Sequence, residues 1–399
     1  MSVVAKWAPA AVVAAVITGG SIALPLQANA VNLPEITVDQ LVELMDVDVT
    51  GFSGTITKTT DLGLPALEMS SMVSPAMVEE MAATMPEGLE DFVPQIIEQD
   101  LITQAIAFVA GTDTIRVFAS EEGFRAQILD PMSQRDIIVS KTAVWAYDAS
   151  TQKAYTRAID TDVTKEDFEA ELGQLEIDLS DPRAVAAYVL EQAGPDTALL
   201  MGDNHRIANR TAYALVVEPR SDHSLVSSVS ISVDSETGMP LGVSVYSTEQ
   251  AEPAAVVAFT SISFEVPEAS LFSFTPPPGT TVETVELPES LESALADLES
   301  GALTEAEAEA RAEQLRQEFA GDAEVVVLGE RWETVLSLSA LPDFAPTEML
   351  TNELFQDLLV TVPGGQVFST PLMNILITDA GAVFAGAVTI DHLVTLSSR

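Results

Sequence analysis

Chemistry at a protein site needs titratable or nucleophilic groups within reach of one another, and this chain is poor in them. It carries three histidines and no cysteine in 399 residues. His205 lies in Gly202-Asp203-Asn204-His205-Arg206 and His223 in Arg220-Ser221-Asp222-His223-Ser224; both read as polar turns, and His392 is far from either. None stands at the spacing of a metal-ligand pair or a catalytic triad. Gly51-Phe52-Ser53-Gly54 is one residue short of a G-x-S-x-G elbow and opens a strand pattern. No glycine loop suited to cradling phosphate occurs. Asp46-Val47-Asp48-Val49-Thr50-Gly51 begins like a calcium loop, but its twelfth position is Thr57 where that loop needs a bidentate glutamate. With 61 acidic residues, carboxylates that are close in sequence carry no information about hydrolytic chemistry. The expectation is a non-enzymatic chain with no catalytic residues, no metal and no cofactor.

Bulk composition narrows the field further. The 61 acidic residues face 17 basic ones, a formal net charge of −44. Nucleic-acid binding requires the opposite sign and is excluded as a function class. An anionic membrane surface repels such a chain, so membrane contact is expected only through the N-terminal segment, if that segment is retained. The charge reads as a solvated surface, with an acidic dock for a basic partner as the other reading. A hydrophobic fraction of 47% is ample for a core. The missing cysteines remove disulfides, thiolate sites and a lipidated anchor. Lys6, an apolar run from Ala8 to Leu26, and Ala28-Asn29-Ala30 form the pattern of an export signal, residues 1–30. Cleavage after Ala30 and retention as an anchor both remain open, and either places the rest of the chain outside the cytoplasm, secreted or associated with the cell envelope.

The elements that would position a site are mostly strands. Val229, Ile231 and Val233 alternate with serines, Asp234-Ser235-Glu236-Thr237-Gly238 turns the chain, and Leu241, Val243 and Val245 alternate again before a third strand from Val256 to Phe264. Similar patterns occur at 51–58, 114–118, 124–129, 137–139, 143–147, 154–157 and 211–218. Thr37 and Gln40 form a capping box ahead of a short helix, Val38 to Met45, and Pro182 with Gly194 brackets a second. A methionine-rich stretch with helical spacing, residues 66–110, interrupts the strands and is a candidate lid. From residue 284 the composition shifts to an Ala/Glu-rich helix (291–319), a strand-like run Trp332 to Leu338, a helical run Pro346 to Leu359, and a hairpin around Thr378-Asp379-Ala380-Gly381. The fold class expected is α+β: a large curled antiparallel sheet, its concave side covered by helices, with an accessory α/β module over 284–399 that packs on the main body.

Several pieces in order carry a resemblance: Val49-Thr50-Gly51-Phe52-Ser53-Gly54-Thr55, Asp61-Leu62-Gly63-Leu64-Pro65, Val144-Trp145-Ala146-Tyr147, Gly238-Met239-Pro240-Leu241 with Val243, and Phe272-Ser273-Phe274-Thr275-Pro276-Pro277-Pro278-Gly279. Together these resemble the LolA-like superfamily of extracytoplasmic lipoprotein- and lipid-binding proteins, and within it an actinobacterial LolA-family or MucB/RseB-like branch. The resemblance spans 31–282 and touches the tail at its last hairpin. It implies an unclosed β-barrel around helices with a hydrophobic cavity, and a carrier or sensor without catalytic residues. The 66–110 insertion and the 291–319 helix depart from that pattern.

The domain reading is a 31–283 lipid- or lipoprotein-binding unit followed by the 284–399 module. The first functional expectation is a binder of lipid, or of the acyl chains of a lipoprotein, in a hydrophobic cavity. The alternative is a MucB/RseB-like regulator that binds an anti-sigma factor or other envelope protein. Alternation and size nominate Phe52, Ile115, Val117, Phe124, Ile128, Trp145, Tyr147, Val243 and Val245 as ligand-lining residues.

Overall fold

The computed structural model describes residues 31–45, 49–61, 112–130, 133–158, 182–192, 194, 196–284, 324–339 and 359–398. The 1–30 signal, the 66–110 insertion, the 291–319 helix and all but the last residue of the Pro346 to Leu359 run lie outside these residues; Leu359 itself opens a strand.

Among the described residues two sheets form, one of thirteen strands and one of six. The large sheet contains β1 (Gly51–Thr60), β2 (Asp113–Ser120), β3 (Gly123–Asp130), β4 (Ser133–Ser140), β5 (Ala143–Asp148) and β6 (Lys153–Ala158). It continues with β7 (Thr197–Met201), β8 (His205–Ile207), β9 (Arg210–Pro219), β10 (Val226–Asp234), β11 (Pro240–Ser247), β12 (Pro253–Ser263) and β13 (Thr281–Thr284). Its order is β13-β6-β5-β4-β3-β2-β1-β12-β11-β10-β9-β7, with β8 folded onto β9. Only the β13–β6 pair is parallel. The end strands β13 and β7 do not meet, so the sheet curls without closing, the expected fold class.

The local reasons are visible in the sequence. Tight turns at 121–122 and 141–142 help set β2 to β5 in register, with Ser120 paired to Gly123 and Val139 to Val144, while β3 and β4 pair from Gly123–Ser140 to Asp130–Ser133. Gly123 stands where a Cβ would overlap the carbonyl oxygen of Val139. The capping box forms at α1 (Val38–Met45): the Thr37 amide donates to Gln40 Oε1 at 2.9 Å and the Gln40 amide to Thr37 Oγ1 at 3.2 Å. The second helix, α2 (Pro182–Gln192), starts at its proline as expected.

The β10–β11 turn is pinned by a buried carboxylate. Asp234 is fully buried and accepts from the amides of Glu236 and Thr237 and from Thr237 Oγ1. Arg210 at the start of β9 donates to both of its oxygens, with Nη2 at 2.9 Å from Oδ1, and also to Glu236. Burial pushes the Asp234 carboxyl up, but the Arg210 guanidinium and the Thr237 donors outweigh it and hold the group below the usual carboxylate range. Gly238, with φ of 74°, completes the turn; a Cβ there would overlap the carbonyl oxygen of Leu44, so hairpin and α1 fit only around a glycine.

The smaller sheet runs β14 (Glu324–Leu328), β15 (Val335–Ser339), β19 (Val383–Gly386), β18 (Asn374–Thr378), β17 (Gly365–Ser369) and β16 (Leu359–Val362), covered by α3 (Ile390–Ser397). Here the sequence reading needs correction. Trp332 is not in a strand: Arg331–Glu333 is a 3-10 turn and β15 begins at Val335. That turn is a fastener between the sheets. Arg331 Nη1 donates to Asp196 at 2.5 Å and Trp332 Nε1 to Thr197 Oγ1 at 3.0 Å. The Leu225 amide reaches the Ala387 carbonyl, the Thr389 amide that of His223, and Leu372 is buried in the large sheet's core.

Candidate functional site

Partner residues in a sheet share a face, so register sorts the large sheet's side chains into two sets. On one face Phe52, Ile56 and Lys58 of β1 match Ala119, Ile115 and Asp113 of β2, then Phe124 and Ile128 of β3. In the other direction this face continues through Phe259 and Val257 to Val243, Ile231 and Leu215. Both α1 and α2 pack on it: Leu41, Val185 and Val189 join Leu215, Ile231 and Val243 in one core. Arg183 of α2 lies over the Phe52 ring, 4.6 Å from its centroid, and Phe52 meets Phe259 edge-on at 6.0 Å. We call this the helix face.

Of the nine nominated residues, seven lie on the helix face: Phe52, Ile115, Val117, Phe124, Ile128, Val243 and Val245. Five of these (Phe52, Ile115, Val117, Val243 and Val245) are buried, while Phe124 and Ile128 are half-buried. Trp145 and Tyr147 project from the opposite face, because Trp145 pairs with Ile138 and Tyr147 with Asp136. There they receive the strap that follows β12: the Phe274 ring centroid lies 5.3 Å from each. Phe272 is buried beside Gly123, and Arg125 Nη1 donates to the Leu271 carbonyl while Nε and Nη2 hold Asp136. These aromatics clamp the chain on its way to β13. Trp145→Ala is expected to cost about 2 to 3 kcal/mol in a urea melt by loosening the strap, without altering the helix face.

The helix face changes character across the sheet. Beneath the helices and over β1 and β2 it is core. Over β4 to β6 it surfaces: the row Val117-Ala126 continues into Ile137, Ala146 and Tyr155, with Ile137 38% exposed and Ala146 exposed. Val144 beside them is half-buried. A row of apolar residues therefore runs from a buried interior to a partly exposed surface on one continuous face. Ile137, Ala146 and Tyr155 were not among the nominated residues. The two-residue turns, which fix the register from one strand to the next, were the signal that would have added them and set Trp145 and Tyr147 apart.

Of the histidines, His223 lies in a turn as expected, whereas His205 opens a strand. His223 and His392, distant in the chain, stack with centroids 4.3 Å apart at the seam between the sheets, where His392 Nε2 lies 3.7 Å from Glu333. His205 opens β8 and meets Ser232 Oγ at 2.9 Å through Nε2, while Nδ1 faces the Asp203 backbone carbonyl at 3.1 Å, with no carboxylate behind it. Among the described residues no group of three or more His, Asp or Glu could hold a metal ion, and no helix is long and apolar enough to cross a membrane.

Comparison with known proteins gives the following. No protein-family model matches the chain, and no curated protein does. Solved structures similar to it include the complex of MucB with MucA from Pseudomonas aeruginosa, at 13% identity and a TM-score of 0.37, covering 90% of this chain and 96% of that one. An uncharacterised conserved protein from Thermus thermophilus is similar at 10% identity and a TM-score of 0.31, covering 62% of this chain and 98% of that one. A LolA-superfamily protein from Nitrosomonas europaea is similar at 10% identity and a TM-score of 0.21, covering 60% of this chain and 99% of that one.

Proposed function

We propose that this chain is an extracytoplasmic, non-catalytic binding protein that holds a lipid, or the acyl chain of a lipoprotein, along the helix face of its large sheet. The observation that supports this reading is the apolar lane that leaves the core at Val117 and Ala126 and emerges at Ile137 and Ala146. A fully buried methylene contributes about 0.8 kcal/mol, so a chain of twelve carbons gains roughly 10 kcal/mol if enclosed and about half that on an open face. Immobilising the ligand offsets part of this gain, so uptake needs chains of roughly ten carbons or more.

The test is uptake of a fluorescent twelve- to sixteen-carbon acyl probe by protein purified without detergent. In Ile137→Glu a carboxylate sits in the lane, and the probe's affinity is expected to fall at least about tenfold. Folding stability should fall by about 1 to 2 kcal/mol, because Ile137 is 38% exposed in a strand paired on both sides, and a urea melt of the variant checks that it remains folded. No uptake by the wild type, or unchanged uptake by the variant, would refute the reading.

A second reading, a regulator that holds another envelope protein as MucB holds MucA, has one observation in its favour. The smaller sheet ends at β16, whose Val360 is 47% exposed, and an outer strand of this kind accepts an extended peptide. It predicts a protein partner in pull-downs that is lost with Val360→Pro, while acyl uptake is untouched.

A further inference from the structure

β7 is an end strand of the large sheet, paired only with β9. The Gly202 amide donates to the Ala214 carbonyl and the Arg220 amide to the Asp196 carbonyl, both at 2.8 Å. Bonded pairs alternate along an antiparallel ladder, so Ala198 and Leu200 turn their amides and carbonyls towards β9, while Leu199 and Met201 turn theirs away. On that outer side the Thr197 amide is taken by the Gly194 carbonyl, and the Arg331–Trp332 fastener holds Asp196 and Thr197. β8 occupies the next stretch of β9, pairing His205 with Ala212, and so lies in line with β7. Among the described residues nothing pairs with the outward groups of Leu199 and Met201. The strand, Thr197-Ala198-Leu199-Leu200-Met201, has no charge, proline or bulge to blunt its edge. Leu200, on the face opposite the helices, is 46% exposed. On the helix face α1 packs beside β7, with Leu199 and Met201 against the core that includes Leu41. Asp39 and Glu43, one turn apart on α1, are exposed, as is Asp203 just past β7, and Glu218 pairs with Ala198. Against these acids stand Arg206 on β8, with Nη1 on the Asn209 carbonyl at 3.4 Å, and two arginines at the seam end, Arg220 and the Arg331 that holds Asp196.

We propose that the outer side of β7 receives an extended segment of a basic protein partner, added to the large sheet as a further strand along Leu199 and Met201. This goes beyond the acyl-chain reading and uses a different edge from β16. In strand addition the backbone bonds supply affinity and alternate side chains supply specificity. Partner side chains that fall on the side of α1, with its exposed Asp39 and Glu43, are basic. Those between them fall beside Leu200 and are apolar. A run that alternates lysine or arginine with valine or leucine meets both demands. The charge also argues against a second copy of this chain as the occupant, because two chains of formal charge −44 repel each other on approach.

Fluorescence anisotropy tests this, with a labelled peptide of about nine residues alternating lysine and valine, titrated with the intact chain. The counterpart with glutamate in place of lysine is expected to bind at least about tenfold more weakly. N-methylation of the backbone amides along the lysine peptide keeps its charge but removes its donors, and should weaken binding about tenfold or more. Leu199→Pro removes an outward amide while the bonds to β9 stay in place, and should bring a loss of about the same size. Leu200→Ser, at an exposed position, should weaken binding about threefold. Circular dichroism melts of both variants confirm the fold. An N-methylated peptide that binds as tightly as its parent would overturn strand addition, leaving charge attraction alone. Equal affinity for the lysine and glutamate peptides would overturn the basic partner, and no binding of the lysine peptide would overturn the whole proposal. Binding lost in Val360→Pro but kept in Leu199→Pro and Leu200→Ser would move the site to β16. A dimer in light scattering that Leu200→Ser dissociates would assign the edge to a second copy of the chain. Acyl uptake is read by a different probe, so these results and those for the acyl reading fail separately.

Discussion

Arg210→Ala is expected to destabilise the protein by about 3 to 5 kcal/mol, because it strips the partner from a carboxylate that cannot reach water. Asp234 is fully buried, whereas Arg210 is 25% exposed and shares itself with Glu236 at the surface. Losing the arginine therefore leaves the costly member of the pair behind. The pH dependence separates this cause from general damage. In the wild type the Asp234 carboxyl is held below its ordinary value, so its contribution is full above about pH 4 and is lost as the pH falls through the depressed folded-state value. Without Arg210, burial raises the same group, and its protonation in mild acid relieves the variant. Urea melts should show the gap between the two proteins at its widest near pH 7 and narrowing towards pH 3. A gap that stays constant across that range would mean the pair acts through packing alone.

Phe259→Ala is the second large effect, at about 3 to 5 kcal/mol. The ring is 1% exposed, lies against Gly54, where a Cβ would come within 2.7 Å of it, and meets Phe52 edge-on. Phe52 in turn lies under Arg183 of α2. Removing Phe259 opens a cavity at the point where β1 joins β12, under the helix that covers the face, and also forfeits the aromatic pair, about 0.5 to 1.5 kcal/mol in itself. Gly54 and its neighbours cannot collapse into the space without bending the β1–β12 ladder, so the cost stays near the upper part of the range. A shift of less than about 1.5 kcal/mol in a guanidinium melt would show that the site refills.

Much of the architecture was legible because its signals are local. The Thr37–Gln40 box, Pro182, the Asp234 to Gly238 turn and the alternation in β10 and β11 each involve residues within a few positions of one another. What could not be read depends on distant pairs. The turn at Asp234 is plain in the sequence, but nothing local announces Arg210 as its partner. Trp145 and Ile115 look alike as large apolar residues in alternating strands; only register carried through the intervening hairpins puts them on different faces. The strap residues Phe272 and Phe274 have no period, and their packing on Trp145 and Tyr147 is a tertiary fact. The Pro363-Gly364 turn between β16 and β17, with Gly364 at φ of 88°, is a readable hairpin signal beside the Leu359 end of a run whose spacing looks helical. The stacking of His223 on His392 follows from how the two sheets dock, and no spacing along the chain encodes it.

The most direct measurement is the dissociation constant for a series of saturated carboxylates from ten to sixteen carbons, each below its aggregation concentration. A tail lying on the lane beside Ile137 and Ala146 gains about 0.4 to 0.8 kcal/mol per methylene, so affinity should rise roughly two- to fourfold with each added carbon. Affinity that does not change with chain length would contradict an apolar guest on the helix face, as would the absence of binding throughout the series.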